Sequence, residues 1–448
     1  MTSFLTVLLA ASIDGEAALR HASALAALGP HAWGSPRTRA AAEYVAAQLR
    51  QAGLSEVRLH EFESRGIHGA NVIGALRGPG REIVVVGAHH DTAPGAPGAY
   101  DDGGGVGVLV EAARAWAREP SRARTFVFAS FDGEEAWSAG DAAAAGSRAY
   151  VKDLGAEARN VVAAVIIEMC GWKGGTPVLH PLPYADPRRP GGSVIAPAWL
   201  VRAGSEGAAA AGAPLGLGDP LIPWLYQPLV RTFRARLYGD DLSFLQAGLP
   251  AVFVSDSSFT AFYPWYHEPG DTADRIEAPA LARMGASVLG VLRALDRVPA
   301  GPAEEPHWFA AFGRVLDRRV LLAAGVVSLL PGLRAALSAG GALLFARLLH
   351  AALFGLLLWR HPVPTLWTLL LPNLLAPLAA RRWVTVLSLL PFLALVGTGA
   401  VAWSRDFARG VWLEPWEIAV LLLALSLSFL RPGRRPARVK AGRAGRRY

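Results

Sequence analysis

Up to about residue 296 the chain alternates short apolar runs with longer amphipathic stretches. Residues 57–62 alternate apolar and polar positions, the period of a half-exposed strand. Residues 71–76, 82–88, 125–131 and 250–255 predict further strands. Residues 161–167 are an unbroken run rich in Val and Ile, the kind buried on both faces of a sheet. Helices are predicted over 36–54, with Gly53 placed to stop the first of them, over 103–117 from a glycine turn, over 146–154, and over 278–295 with Pro279 suited to the first turn. Strands alternating with helices predict an α/β fold, a mixed, mostly parallel central sheet flanked by helices. Residues 171–238 carry Pro, Gly and scattered aromatics (Trp199, Trp224, Tyr226) and read as loops at the carboxyl ends of strands, where pockets form.

The pattern changes near residue 318. Residues 297–319, with Pro299, Pro302, Pro306 and Glu304-Glu305, read as a linker. Apolar runs then occupy 320–330, 335–359, 363–379, 383–403 and 413–430, several approaching the ~20 residues that a membrane-spanning helix needs. Trp359, Trp383, Trp403 and Trp412 stand at span ends, where interfacial aromatics belong. Four spans are expected, with 320–330 as a fifth of marginal length, and Arg347 and His350 inside one span are expected to face the bundle or to snorkel toward the interface. The organisation is therefore an N-terminal segment (1–19), an α/β domain (20–296), a linker (297–319), an all-α transmembrane bundle (320–430) and a basic disordered tail (431–448).

Composition supports this division. Hydrophobic residues make up 52% of the chain, and the mean hydropathy is +0.29, high for a chain that contacts only water. The net charge of +8 resides entirely in the tail, whose eight Arg and Lys residues account for the excess of 44 bases over 36 acids. A nucleic-acid partner is not expected. A lipid bilayer is, with the tail on its cytoplasmic face. Cys170 is the single cysteine, so neither an intrachain disulfide nor a multi-thiolate metal site can form. Residues 4–11 are apolar but lack a basic flank, which makes a poor export signal. Nothing in the sequence fixes the oligomeric state.

Chemistry concentrates at the predicted strand ends. His89 closes one strand in a His-x-Asp with Asp91. Asp101 lies in a Gly-rich turn that opens a helix. Glu134 and Glu135 follow the strand ending at Phe131, Glu168 ends the next strand, and His267 follows the last. Two imidazoles and three carboxylates are the donor set that holds two Zn²⁺ ions about 3.5–4 Å apart. One member of a Glu-Glu pair can ligate while the other faces the attacking water as general base. Asp91 is placed to hold the second nitrogen of His89. Singly these signals are weak; the ordered set is specific.

The stretches Gly87-Ala88-His89-His90-Asp91, Gly98-Ala99-Tyr100-Asp101-Asp102, Phe131-Asp132-Gly133-Glu134-Glu135, Gly239-Asp240-Asp241-Leu242-Ser243-Phe244 and His267-Glu268-Pro269-Gly270-Asp271-Thr272 resemble metallopeptidase family twenty-eight, the zinc aminopeptidases and their relatives. The resemblance implies the zinc-exopeptidase fold and hydrolysis of N-terminal residues from peptides. It implies one zinc on His89, Asp101 and Glu168, a second on Asp101, Glu135 and His267 with Asp101 bridging, a bridging water, Glu134 as base and Asp91 orienting His89. Three departures stand out: Asp101-Asp102 where the family has Asp-Asn, Glu168 where it has Asp, and Gly239-Asp240-Asp241 where it has Ser-Asp-His. The stretch from Phe131 to Trp137, with Trp265 near His267, also resembles glutaminyl cyclases, which share the fold and use one zinc. A third expectation is a non-catalytic receptor domain, as in relatives that have lost their metals. Fusion to a membrane bundle resembles a subset of the family and implies an extracytoplasmic peptidase domain. Five spans with the tail inside agree with that side; four would place the domain in the cytoplasm.

Overall fold

The computed structural model describes residues 13–302 except 136–142, 182–183, 186–187, 189–192, 218–238 and 257–262. Beyond 302 it describes 308–311, 314–317 and scattered helical positions between 323 and 355. The chain divides into two units, Met1–Leu316 and Asp317–Tyr448.

The first unit opens with α1 (Gly15–Ala26), capped by the Asp14 carboxylate on the Ala17 amide, and α2 (Pro36–Gln51), capped by Ser35 with Pro36 in the first turn. The hairpin β1 (Arg58–Ser64) and β2 (Ile67–Leu76) follows. Next come β3 (Ile83–His89), α3 (Gly104–Ala117), β4 (Thr125–Phe131), α4 (Ala145–Asp153) and β5 (Val161–Ile167). The remaining elements are β6 (Val178–His180), the two-residue strands β7 (Tyr184–Ala185) and β8 (Ser193–Val194), α5 (Ala198–Ala210), β9 (Gly216–Leu217), α6 (Asp241–Gln246), β10 (Ala251–Ser255) and α7 (Ala278–Arg297).

Eight strands form one sheet in the order β1-β2-β4-β3-β5-β10-β6-β9. The centre, β4-β3-β5-β10, is parallel, and antiparallel pairs flank it. The expected mixed sheet is therefore present, with its parallel part where the predicted acids lie. Strand periodicity sends alternate side chains to opposite faces. Val84 and Val86 join a core with Leu49, Leu109, Trp116, Phe128 and Leu289, under α1, α2, α3, α5 and α7. Val85, Phe131 and Ile166 pack with Tyr150 and Phe244 on the other face, under α4 and α6. Each fully buried Val, Leu or Phe contributes about 1.5–3 kcal/mol, which makes the parallel centre the rigid platform of the domain.

Three features differ from expectation. The helix α1 starts at Gly15 and packs on α3 and α7, so it belongs to the globular unit although its first turns fall in the expected N-terminal segment. Residues 171–238, expected as loops, contain β6 to β9 and α5. The α5 helix crosses α7 so closely that a Cβ on Gly207 would collide with the Gly290 carbonyl, a contact that only glycine permits. The expected linker carries two short strands, Trp308–Ala311 and Arg314–Asp317, paired with each other.

Among the described residues one helix, α7, is long and apolar enough to cross a membrane, and 67% of its apolar window is buried inside the domain. The spans expected from 320 to 430 lie almost wholly outside the described residues, as does the basic tail. In the second unit the described side chains of Val327, Leu330, Phe345, Leu348 and Leu349 are exposed.

Candidate metal centre

The parallel strands end together, and their ends build the site. His89 is the last residue of β3 and is 1% exposed. Its Nδ1 lies 3.0 Å from the Asp91 carbonyl oxygen. A carbonyl only accepts, so Nδ1 is the donor and Nε2 presents its lone pair to the site. That Nε2 stands 3.2 Å from Asp101 Oδ1 and 3.9 Å from Glu168 Oε1. The Asp91 carboxylate, expected to orient His89, lies beside Nδ1. Its Oδ1 is 3.5 Å from Nδ1, and its two oxygens accept from the Glu134 and Glu135 amides, at 3.0 Å each. Asp91 grips the turn that carries the Glu pair, and its backbone carbonyl and carboxylate both face the His89 Nδ1.

Asp101 sits in a turn between β3 and α3. Gly98 opens it with φ 71°, and a Cβ there would collide with Thr92 Cγ2. Asp271 fixes the turn from the other end of the domain: its oxygens accept from the Tyr100 amide at 2.8 Å and the Asp101 amide at 3.1 Å. Asp102, which stands where the resembled family has Asn, spends its carboxylate on backbone amides. Its Oδ1 accepts from the Gly105 and Met169 amides at 3.0 Å each, and its Oδ2 from the His89 amide at 3.3 Å. It ties together the end of β3, the start of α3 and the residue after Glu168.

The Glu134–Glu135 turn is anchored below by Asn71. Asn71 Oδ1 accepts from the Asp132 amide at 3.0 Å, and its Nδ2 donates to the Gly146 carbonyl at 2.9 Å. Glu168 directly follows β5, and the next residue, Met169, turns the chain with φ 50°. His267 is also left-handed, with φ 62°, a conformation uncommon outside glycine. Its Nε2 is 2.8 Å from Glu135 Oε1 and 3.3 Å from Asp101 Oδ2, and the Tyr266 ring stacks on it at 3.7 Å between centroids. Trp265, the aromatic with a cyclase resemblance, packs under the Arg275 guanidinium at 4.1 Å. His90 faces away: its Nδ1 meets Ser130 Oγ at 2.9 Å, and burial lowers its pKa to about 3, so it is neutral.

All seven residues singled out from the sequence therefore converge. The donor atoms of six of them, all but Asp91, fall into three groups, each with atoms within 4.8 Å of one another: His89, Asp101 and Glu168; Asp101, Glu135 and His267; and His89, Glu134 and Glu135. The first two share Asp101. These residues fit a bound dication on two grounds. Imidazole nitrogens and carboxylate oxygens in this number are zinc donors. In addition, Glu168 Oε2 is buried with no hydrogen-bond partner, a costly state for a carboxylate unless a cation completes it.

The electrostatics agree. Burial pushes Glu134 and Glu168 well above the usual carboxylate range, reinforced by the neighbouring Glu135 and Glu134 charges respectively. Burial and the Asp101 charge lift Glu135 to about 7. Burial alone would raise Asp101 too, but the His267 and His89 imidazoles beside it overcome that effect and hold Asp101 well below that range. Burial works against protonated His267, yet Asp101 and Glu135 lift it to about 10. The site concentrates negative charge that bound dications relieve.

Four contributors were not singled out from the sequence. Asp271 was legible only as part of the His267 stretch, and Asn71 only as the start of a strand. Asp256 follows β10 as Glu168 follows β5, and accepts from Tyr100 Oη at 2.7 Å. Asp240 is buried with neither oxygen hydrogen-bonded.

Residues 71–292 match the model of Peptidase family M28. The chain is 27% identical over 235 residues to the uncharacterized protein YfbL of Escherichia coli (strain K12), covering 49% of this chain and 68% of that one. It is also 27% identical over 277 residues to the probable lipoprotein aminopeptidase LpqL of Mycobacterium tuberculosis, covering 54% of this chain and 48% of that one. Among solved structures, BSAP, a zinc aminopeptidase from Bacillus subtilis, aligns with TM-score 0.52 and 15% identity over 66% of this chain and 98% of its own. Porphyromonas gingivalis glutaminyl cyclase aligns with TM-score 0.51 and 20% identity over 64% of this chain and 100% of its own. At these identities the structural likeness is one of fold. The sheet, the matched segment and the acids at its strand ends together identify residues 71–292 as a Peptidase family M28 domain.

Proposed function

We propose that this chain is a zinc-dependent exopeptidase, an aminopeptidase that removes N-terminal residues from peptides. The observation that carries the reading is the pair of donor groups sharing Asp101. His89, Asp101 and Glu168 would hold one zinc ion, and Asp101, Glu135 and His267 the other. When bound, zinc polarises the scissile carbonyl and makes a water acidic enough to attack at neutral pH.

The chain's own residues supply the rest. Glu134 takes the attacking water's proton and passes it to the leaving amine. Burial and Glu135 raise its proton affinity, which suits a group that must both accept and deliver a proton. Asp91 sets the position of Glu134 through its amide. Glu134→Gln keeps the shape and removes the base. It is expected to lower kcat about 100- to 10,000-fold while zinc per chain, measured by plasma mass spectrometry, stays unchanged. Full activity in that variant would sink the mechanism.

A second reading, glutaminyl cyclisation on one zinc, is favoured by the complete coverage of the Porphyromonas gingivalis cyclase fold and by the longer Glu168 ligand. One zinc per chain, with closure of N-terminal Gln rather than its release, would select it. The apolar runs after residue 320 and the exposed Val327, Phe345 and Leu348 support attachment to a lipid bilayer, with the peptidase domain on the extracytoplasmic side. Protease accessibility of the domain in sealed cells tests the side.

A further inference from the structure

Among the described residues, every acid around the cluster but one has an evident partner or ligand role. Asp91 and Asp102 take backbone amides. Asp271 takes two amides and the Tyr263 hydroxyl. Asp241 accepts from Tyr184 Oη at 2.9 Å. Asp240 is the exception. It is 1% exposed, and both carboxylate oxygens lack a hydrogen-bond partner. No Lys or Arg pairs with it among the described residues.

Its surroundings place it in the reaction zone. Its charge acts on Glu134 and is itself influenced by His89 and Asp91. Gly239, immediately before it, abuts the Glu168 ligand: a Cβ there would lie 3.3 Å from Glu168 Oε2. The Ser147 hydroxyl lies close enough to Asp240 to lower its proton affinity, but its hydrogen bonds go to Ser243 Oγ at 2.8 Å and the Ala144 carbonyl at 3.2 Å.

A buried carboxylate with empty acceptors is strongly disfavoured, and a cation relieves it while the group stays ionised. That cation is not a structural dication, since Asp240 belongs to none of the donor groups close enough to share one. A cation that carries its own N–H donors fits: a primary ammonium supplies one positive charge and three donors. We propose that Asp240 binds the substrate's N-terminal ammonium. The assignment rests on the aminopeptidase reading and explains why that site would release one residue at a time. The α-ammonium is two bonds from the carbonyl carbon that is attacked, so its anchor must stand beside the base. Asp240 stands within electrostatic reach of Glu134.

The test uses the zinc-loaded full chain and Asp240→Asn, with Asp240→Ser as a second variant. Removing a buried, unpartnered charge should preserve or raise Tm. Two readouts are compared with wild type: turnover of leucine p-nitroanilide against its des-amino analogue, 4-methylpentanoyl p-nitroanilide, and calorimetric binding of n-butylammonium. We expect unchanged zinc content. KM for the leucine substrate should rise about tenfold or more, with a smaller change in kcat, and n-butylammonium affinity should fall about tenfold or more. Preference for the free amine over the des-amino compound should collapse. Unchanged KM and n-butylammonium affinity would overturn the assignment, and so would loss of zinc in both variants, which would place Asp240 with the metals. If wild type leaves leucine p-nitroanilide intact, the aminopeptidase reading fails. The n-butylammonium titration then still decides the role of Asp240.

Discussion

Asp101 and Asp102 are adjacent and both buried, yet their carboxylates face unlike surroundings. Asp101 meets two imidazoles, His89 at 3.2 Å and His267 at 3.3 Å. Asp102 meets three backbone amides and no imidazole nitrogen. The same contrast separates the whole cluster from the region behind it. Asp101, Glu135 and Glu168 present oxygens to ligating side chains or to nothing. Asp91, Asp102 and Asp271 spend theirs on amides of the loops that carry the ligands. A carboxylate given amide donors fixes a backbone; one denied them awaits a cation. Residue type alone does not separate the two tasks, and the supply of backbone donors does.

Substitutions can break this contrast. Asp101→Asn removes the charge shared by both donor groups. It is expected to strip zinc from both positions and to lower kcat/KM by well over the roughly 10- to 100-fold typical of outer partners. Zinc per chain and kcat/KM check it together. Asp91→Asn leaves one amide acceptor where two are used, so the Glu134–Glu135 turn loses one hydrogen bond. A fall of about 10- to 100-fold in kcat with zinc retained is expected. Loss of zinc instead would make Asp91 part of the cluster.

The domain's response to pH follows from the same buried acids. Burial, with a contribution from the Asp101 charge, lifts Asp271 to about 7, and burial lifts Asp256 to about 6. Their unfolded values lie near 3.9. A carboxyl raised in this way binds more protons folded than unfolded, so stability falls as pH rises from about 4 to about 7. His267, held near 10 by its carboxylate partners against the opposing effect of burial, acts in the same direction. Its proton stabilises the fold fully below about 6.5 and is lost as pH climbs toward 10. Chelated protein should therefore melt at lower temperature at pH 8 than at pH 5. The gain in Tm from added zinc should grow over the same range, because the ligands must shed protons to bind it. The opposite slope in chelated protein would refute the assignment of these shifts.

Asp102→Asn should have the smallest effect. Its Oδ1 can keep both 3.0 Å amide bonds, and only the 3.3 Å contact to the His89 amide is lost. A loss of about 1–3 kcal/mol is the ceiling, with zinc and turnover close to wild type.

Legibility in the sequence tracked how local each signal is. Strands β3, β4 and β5 were readable because burial on both faces writes them as unbroken apolar runs, and a charged residue straight after such a run marks a strand end facing the site. Glu168 carries that mark directly, His89 closes its own strand, and Glu134 and Glu135 follow β4 after Asp132 and Gly133. The helix α5 was missed because small residues give its apolar face little contrast, and β6 to β9 span only two or three residues each, too few for a period. The grip of Asp271 on the Asp101 turn joins residues far apart in the chain, so it exists only in the folded structure. The reach of Asp240 toward Glu134 is legible there for the same reason.

The most direct test is zinc titration of the chelated full chain, followed by plasma mass spectrometry of the reloaded protein. Two donor groups sharing Asp101 predict two zinc ions per chain, with hydrolysis of an aminoacyl substrate restored as they bind. Saturation at one zinc, or none, would contradict the shared-carboxylate site.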